Sequence, residues 1–185
     1  MNNLSIDNAI GLVLKWHAGQ TRKGDGSPYI IHPVAVATIL AKNGFSDETV
    51  AAGFCHDLLE DTECPEQEIV SACGEKVLEI VKAVTNDGQL SDGKDWEKKK
   101  LKYIYSVRNG PEEAKAVCVA DKIHNLRSLL TAYKIQGPEI WDRFNRGRQQ
   151  KIWFEKLVLK MLESSWEHPL IEEYQKLISA EESLR

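Results

Sequence analysis

The sequence predicts an all-α fold: one domain over residues 1–185, built as a bundle of about eight or nine helices. Apolar residues recur at three- and four-residue spacing along most of the chain. No alternating apolar–polar run is longer than four residues, so a sheet has nothing to build on. No repeat, linker or low-complexity tract interrupts the pattern, and 185 residues at 42% hydrophobic content suffice for one enclosed core.

The elements follow in order. Ser5 or Asp7 can cap a first helix carrying Ile6, Ile10, Val13, Leu14 and His17, which ends near Gly19. Residues 20–29 form a loop with Arg22 and Lys23 beside Gly24 and Gly26; such a loop suits a phosphate or nucleotide, and equally a solvated turn. Pro33 stands at the first position of a second helix, which buries Val34, Val36, Ala37, Leu40 and Ala41 and stops at Gly44. His32 therefore falls where loop meets helix. Ser46 caps the central helix, with Asp47 and Glu48 favouring its N-terminal dipole. A turn through Glu63 and Pro65 starts another helix, and Gly74 separates it from the next, Glu75 to Val84. A polar loop from Asn86 to Gly93 leads to a charged helix, Asp95 to Val107, whose lysines read as a solvated face. Asn109-Gly110-Pro111 precedes a long helix with Ala114, Val117, Cys118, Ala120 and Ile123 on its apolar face. After Gly137-Pro138 a long amphipathic helix carries Trp141, Phe144, Trp153, Phe154 and Leu157, with Arg143, Arg146 and Arg148 in its first half. A last helix runs from about Pro169 to Ile178.

The totals narrow the function. A net charge of −4 and a pI near 5.8 exclude a general basic surface for nucleic acid and leave room for a local basic pocket. Met1 to Ile10 has no basic segment followed by an apolar run, and no stretch has membrane-spanning length. A soluble cytoplasmic chain with no membrane partner is expected; no signal fixes its oligomeric state. Cysteines at 55, 64, 73 and 118 form no Cys-x-x-Cys pair, which argues against structural zinc. Cys55 and Cys118 read as small buried hydrophobes.

The informative stretch is Phe54 to Thr62. His56, Asp57, Glu60 and Asp61 crowd together between apolar residues, and on a helix the three acids at i, i+3 and i+4 share one face. Their repulsion is relieved by a divalent cation, or else the face is merely a solvated acidic one. Asp121 interrupts the buried pattern of the long helix, with Asn125 one turn on. A buried carboxylate without a cation is costly, which favours a metal ligand over a salt-bridged core Asp. His32, His56, Asp57 and Asp121 make a nitrogen–oxygen donor set without thiolate, suited to Mn²⁺, Fe²⁺ or Mg²⁺ with positions left for water. Such a metal lowers the pKa of bound water, and Glu60 and Asp61 stand one turn away to move the proton.

Four blocks then carry a resemblance: His17 to Lys23, Gly26 to Pro33, His56 to Thr62 and Asp121 to Arg127. In this order they resemble the hydrolase half of the RelA/SpoT family, within the HD-domain phosphohydrolases, over roughly residues 5–160 and in the manner of stand-alone small alarmone hydrolases. The resemblance implies an HD-type bundle in which His32, His56, Asp57 and Asp121 hold one Mn²⁺. It implies that Glu60 and Asp61 activate or position the attacking water. Arg22, Lys23, Asn125 and Arg148 would contact a small-molecule nucleotide. The implied reaction removes the 3′-pyrophosphate of guanosine tetra- or pentaphosphate, releasing pyrophosphate with GDP or GTP. Gln149 to Trp153 matches the family pattern loosely, so Arg146, Arg148 or Lys151 could supply charge for the 5′-phosphates. Adenosine alarmones and NADPH are the alternative substrates.

Overall fold

Ser46 opens the helix around which the others pack. Its Oγ accepts the Thr49 backbone N–H at 3.3 Å, satisfying one of the unpaired donors at the start of α3, Asp47–Cys55. Every α3 residue from Thr49 to Cys55 is buried. A computed structural model describes residues 4–22, 26–86 and 93–184 of the chain. In it α3 is flanked by α1, Leu4–Trp16, and α2, Ile31–Lys42, and further packed by α6, Glu75–Val84, and α8, Glu112–Gln136.

The rest completes an all-α bundle. The single-turn α4, Leu58–Asp61, leads to α5, Glu66–Cys73; α7 is Trp96–Asn109. A 3-10 segment, Gly137–Arg143, separates α8 from α9, Gly147–Glu163, and α10 is Pro169–Glu182. Nine of the ten α-helical segments exceed one turn, matching the expected bundle; no strand occurs among the described residues.

The second buried axis is α8. Ala114, Ala116, Val117, Val119, Ala120, Ile123 and Leu126 are all fully enclosed, so the first half of α8 sits inside the bundle. Full burial of each larger side chain contributes roughly 1.5–3 kcal/mol, and the alanines let α2, α3 and α6 approach. Helices α9 and α10 close the far side, with Tyr174 of α10 entirely buried.

Four boundaries differ from the sequence expectation, each for a local reason. Helix α1 already includes Ser5, and Asp7 serves its first turn rather than capping it. Helix α2 begins at Ile31, so Pro33 lies inside the first turn, where its missing N–H still costs no helical bond, and His32 is in the helix proper. The stretch from Ser46 to Asp61 is not one helix: α3 ends at Cys55 and the chain bends through His56 and Asp57 before α4. Asp57 nevertheless caps α4, its carbonyl accepting the Asp61 N–H at 2.9 Å, so Asp57 and Asp61 still face the same way. Finally, Trp141 and Phe144 belong to the 3-10 segment and its exit, not to a long helix, because Gly137 and Gly147 adopt left-handed φ of 69° and 71° on either side. The polar loop expected after Asn86 falls largely at 87–92, outside the described residues.

Helix α3 meets α2 so closely at Gly53 that an added Cβ would lie 2.5 Å from Leu40 Cδ1 and 3.4 Å from the Ala37 Cα. Leu40 is fully buried and has no free direction to retreat. Gly53→Val is expected to destabilise the fold by about 1–3 kcal/mol, read as a lower urea midpoint with an unchanged slope.

Candidate active site

Three separated pieces of chain aim donor atoms at one point. His32 comes from the first turn of α2, His56 and Asp57 from the bend after α3, and Asp121 from the middle of α8. His32 Nε2 lies 3.1 Å from His56 Nε2, 3.1 Å from Asp121 Oδ1 and 3.4 Å from Asp57 Oδ2. His56 Nε2 lies 3.2 Å from Asp57 Oδ1 and 3.9 Å from Asp121 Oδ1. Donor atoms sharing one cation with bonds near 2.1 Å are separated by roughly 3 Å at right angles. His32, His56 and Asp57 alone already form a group compact enough to hold an ion.

The chemistry of the set agrees with its spacing. His56 Nδ1 lies 2.9 Å from the Gly53 carbonyl, which can only accept, so the ring proton sits on Nδ1 and Nε2 offers a lone pair. His32 Nδ1 lies 2.6 Å from His124 Nδ1. Bare nitrogens and carboxylate oxygens facing one point repel unless a positive charge stands there. Burial pushes the Asp121 carboxyl up, but Lys122 and the imidazoles of His32 and His56 outweigh it and hold the group well below the ordinary carboxylate range. Lys122 Nζ reaches Asp121 Oδ2 at 2.8 Å and Asn125 Nδ2 reaches Oδ1 at 2.5 Å. The donor set fits a divalent cation.

Glu60 and Asp61 leave α4 in different directions. Glu60 accepts the Asn86 backbone N–H at 3.1 Å and its side-chain amide at 2.8 Å. Asp61 Oδ2 lies 2.6 Å from the Tyr29 hydroxyl, which is also 2.5 Å from Asp57 Oδ2. One phenolic proton cannot serve both carboxylates, so a second proton belongs to this bridge. Burial, partly opposed by the Tyr29 hydrogen bond and reinforced by Asp57 and Glu60, raises the Asp61 pKa. Burial and the same two aspartates push the Tyr29 phenol far above its usual value. Tyr29 is placed by stacking on His17, with ring centroids 4.7 Å apart, and by its backbone N–H bonding Gln20 O at 2.9 Å.

The donor cluster opens into a cleft of about 1290 Å³. Among the described residues, eight Arg and Lys side chains and five carboxylates line it, so positive charge concentrates there although the whole chain is at −4. Four of the five carboxylates (Asp57, Glu60, Asp61 and Asp121) stand at the donor end. The opposite wall, from α7 to α9, carries Lys99, Lys100, Arg143, Arg146 and Lys151 with Trp96, Phe144 and Phe154. Lys100 Nζ stands 4.8 Å from the Phe154 ring centre, and Lys151 5.9 Å from that of Phe144.

Of the sequence-derived contacts, Arg22 and Asn125 line this cleft. Arg22 Nη1 is closed off from solvent with no hydrogen-bond partner, an orphaned cationic donor. Lys23 lies outside the described residues. Arg148 does not reach the cleft: its guanidinium donates to the carbonyls of Glu182 at 2.8 Å and Glu181 at 3.3 Å and covers Trp141. Tyr29, His124, Lys122 and Asn86 were not assigned roles from sequence, though Tyr29, Lys122 and His124 sit within the blocks that carried the family resemblance.

A family model described as an HD domain matches residues 9–150. This chain belongs to the HD domain family. A relative named guanosine-3′,5′-bis(diphosphate) 3′-pyrophosphohydrolase MESH1, from Danio rerio, is 36% identical over 129 residues, covering 68% of this chain and 67% of that protein. A GTP pyrophosphokinase from Streptomyces coelicolor is 33% identical over 124 residues; the match takes in 67% of this chain but only 14% of that much longer protein. The solved structure titled as a metazoan ortholog of SpoT that hydrolyses ppGpp superposes with a TM-score of 0.79, covering 95% of this chain and 94% of its own, at 24% identity, a likeness of fold. The HD domain's name pair, His56-Asp57, is the bend between α3 and α4.

Behind the basic wall of this HD domain lies a buried charge cluster. Lys151 Nζ is 3.1 Å from Glu155 Oε1 and 2.7 Å from Glu181 Oε1, and Tyr174 donates to Glu155 Oε2 at 2.5 Å. Glu181 is fully buried, and burial outweighs Lys151 to raise its pKa. A carboxyl whose folded pKa is raised contributes most below its unfolded value, and that contribution fades as pH rises through the folded one. Relative to Glu181→Gln, the wild type should therefore be most stable near pH 4 and lose ground as pH rises above about 4.5, in urea titrations at several pH values.

Proposed function

We propose that this chain is a single-domain, cytoplasmic, divalent-metal-dependent hydrolase that removes the 3′-pyrophosphate from guanosine tetra- or pentaphosphate. The products are GDP or GTP and pyrophosphate. One observation carries the reading: two imidazoles and two carboxylates from three parts of the chain converge at the acidic end of a cleft that is otherwise basic and aromatic. The names of the Danio rerio relative and the metazoan neighbour point the same way. Four unpaired cysteines suit a reducing compartment, and among the described residues no helix is long and apolar enough to cross a membrane.

In this reading His32, His56, Asp57 and Asp121 hold the ion; their mixed nitrogen and oxygen donors suit Mn²⁺, Fe²⁺ or Mg²⁺, and the family resemblance implies Mn²⁺. The ion, once bound, brings the pKa of a coordinated water down toward neutrality. The remaining work belongs to the side chains. Hydrolysis joins a water oxygen to the phosphorus on the 3′-oxygen and breaks the bond between them; one proton must leave the water and one must reach the departing 3′-oxygen. Glu60, fixed by Asn86, takes the first. Asp61, whose pKa is raised and which shares a proton with Tyr29, is suited to deliver the second. Arg22 meets a phosphate of the nucleotide, its orphaned Nη1 gaining the anion it lacks, and Lys23 is the further basic contact that the resemblance implies. Asn125 orients Asp121 and faces the nucleotide from the cleft wall. Because Arg148 is committed to the end of α10, the 5′-phosphates fall to Arg143, Arg146 and Lys151.

Chromatography of products after incubation with Mn²⁺ and, separately, ppGpp, ppApp or NADPH tests the assignment. Fastest release of pyrophosphate from ppGpp supports it; a faster reaction with ppApp or NADPH moves the HD hydrolase to that nucleotide, and binding without turnover makes the chain a sensor. Asp57→Ala and Glu60→Ala should each lower the rate by about 10²–10⁴-fold with unchanged helical circular dichroism. Arg22→Ala should raise KM by roughly tenfold or more, whereas Arg148→Ala should leave KM within about twofold and lower the unfolding midpoint, as loss of hydrogen bonds from a charged group does.

A further inference from the structure

The two imidazoles of the donor cluster are braced differently. His56 Nδ1 faces a main-chain carbonyl, Gly53 O, which dictates its tautomer. His32 Nδ1 faces another imidazole nitrogen, His124 Nδ1, at 2.6 Å. Only one of these two nitrogens can carry the shared proton when both rings are neutral. If His124 held it, His32 would carry its own proton on Nε2 and spend it on Asp121 Oδ1, 3.1 Å away. That arrangement closes the site with an internal hydrogen bond. If His32 holds it, Nε2 is bare and points at the same spot as the three other donors.

We propose that His124 is a positioning residue of the metal centre: its Nδ1 accepts the His32 Nδ1–H and so fixes the His32 tautomer that presents Nε2 to a cation. The proposal rests on the metal-binding reading of the four donors. Two features support it. His124 Nε2 has the Ser128 hydroxyl 3.5 Å away, an outlet for the proton that His124 must then keep on that side. Finally, a neutral brace adds no charge to a centre already crowded by Asp57, Asp61 and Asp121, where a carboxylate brace would increase the repulsion. His124 lies one turn after Asp121 on α8, so a single helix supplies one ligand and braces another that comes from α2.

The test compares wild type, His124→Leu and His124→Asn as full-length chains stripped of metal by a chelator. Asn places an acceptor oxygen near the position of His Nδ1; Leu fills space without one. Calorimetric titration with Mn²⁺ should show affinity lowered by about 10–100-fold in His124→Leu and recovered to within a few-fold of wild type in His124→Asn. Nitrogen-15 chemical shifts of metal-free His32 should show the Nδ1–H tautomer in wild type and His124→Asn, and a loss of that preference in His124→Leu. Unfolding midpoints without metal, equal among the three, assign the affinity change to the brace. Wild-type Mn²⁺ affinity in His124→Leu would overturn the proposal, as would an Asn variant that folds normally and binds no better than Leu. A wild type that binds no Mn²⁺ at all would overturn the metal centre itself.

Discussion

The molecule is organised around a local electrostatic conflict. Asp57 and Asp121 are held within reach of the same two imidazole nitrogens, at distances where like charges in a protein interior repel by several kcal/mol. Nothing local requires this. It is imposed by packing: α2 crosses α3 at Gly53 with no room to slide, and α8 is fixed because its first half is buried on every side. Lys122 and Asn125 offset part of the conflict on the Asp121 side, and Tyr29 offsets part on the Asp57 side. The remainder is what gives the cluster its appetite for a cation, since a relaxed site would have no reason to bind one.

Much of this was legible in the sequence because it follows from short-range rules. Helical spacing located the elements, the Ser46 cap opened α3 as read, and Gly74, Gly137 and the Pro111 start ended or began helices where expected. Asp121 stood out as a charge within an apolar pattern, and its burial and pairing are what that pattern required. The less legible parts depend on contacts far apart in the chain. Periodicity cannot show that α3 stops at Cys55, because His56 and Asp57 keep near-helical backbone angles. The Arg148 guanidinium is drawn to α10 carbonyls more than thirty residues away. Tyr29 and His124 are ordinary residues until the fold brings one against Asp57 and the other against His32.

The bend at His56–Asp57 also explains why three acids in five residues can do three different things. Asp57 turns to the imidazoles and to Tyr29, Glu60 is captured by Asn86, and Asp61 meets Asp57 at the Tyr29 hydroxyl. Burial sets Asp61 apart by raising its pKa, and the neighbouring Asp57 and Glu60 add to the shift.

The same separation operates at the scale of the cleft. A chain of net charge −4 has no long-range pull on a polyanion, and at physiological ionic strength fields fade over about 8 Å. Attraction must therefore be built at short range, and the α7–α9 wall does so with lysines and arginines laid against aromatic faces. Holding Lys151 at that wall requires Glu155 and Glu181 buried behind it. The carboxylates of the donor end oppose an anion that the basic far wall attracts. A divalent cation at the four donors cancels the two charges of Asp57 and Asp121, removing the opposing end of the cleft's polarity. Metal loading and capture of an anionic substrate are thus coupled by charge alone, before any direct contact between ion and substrate is considered.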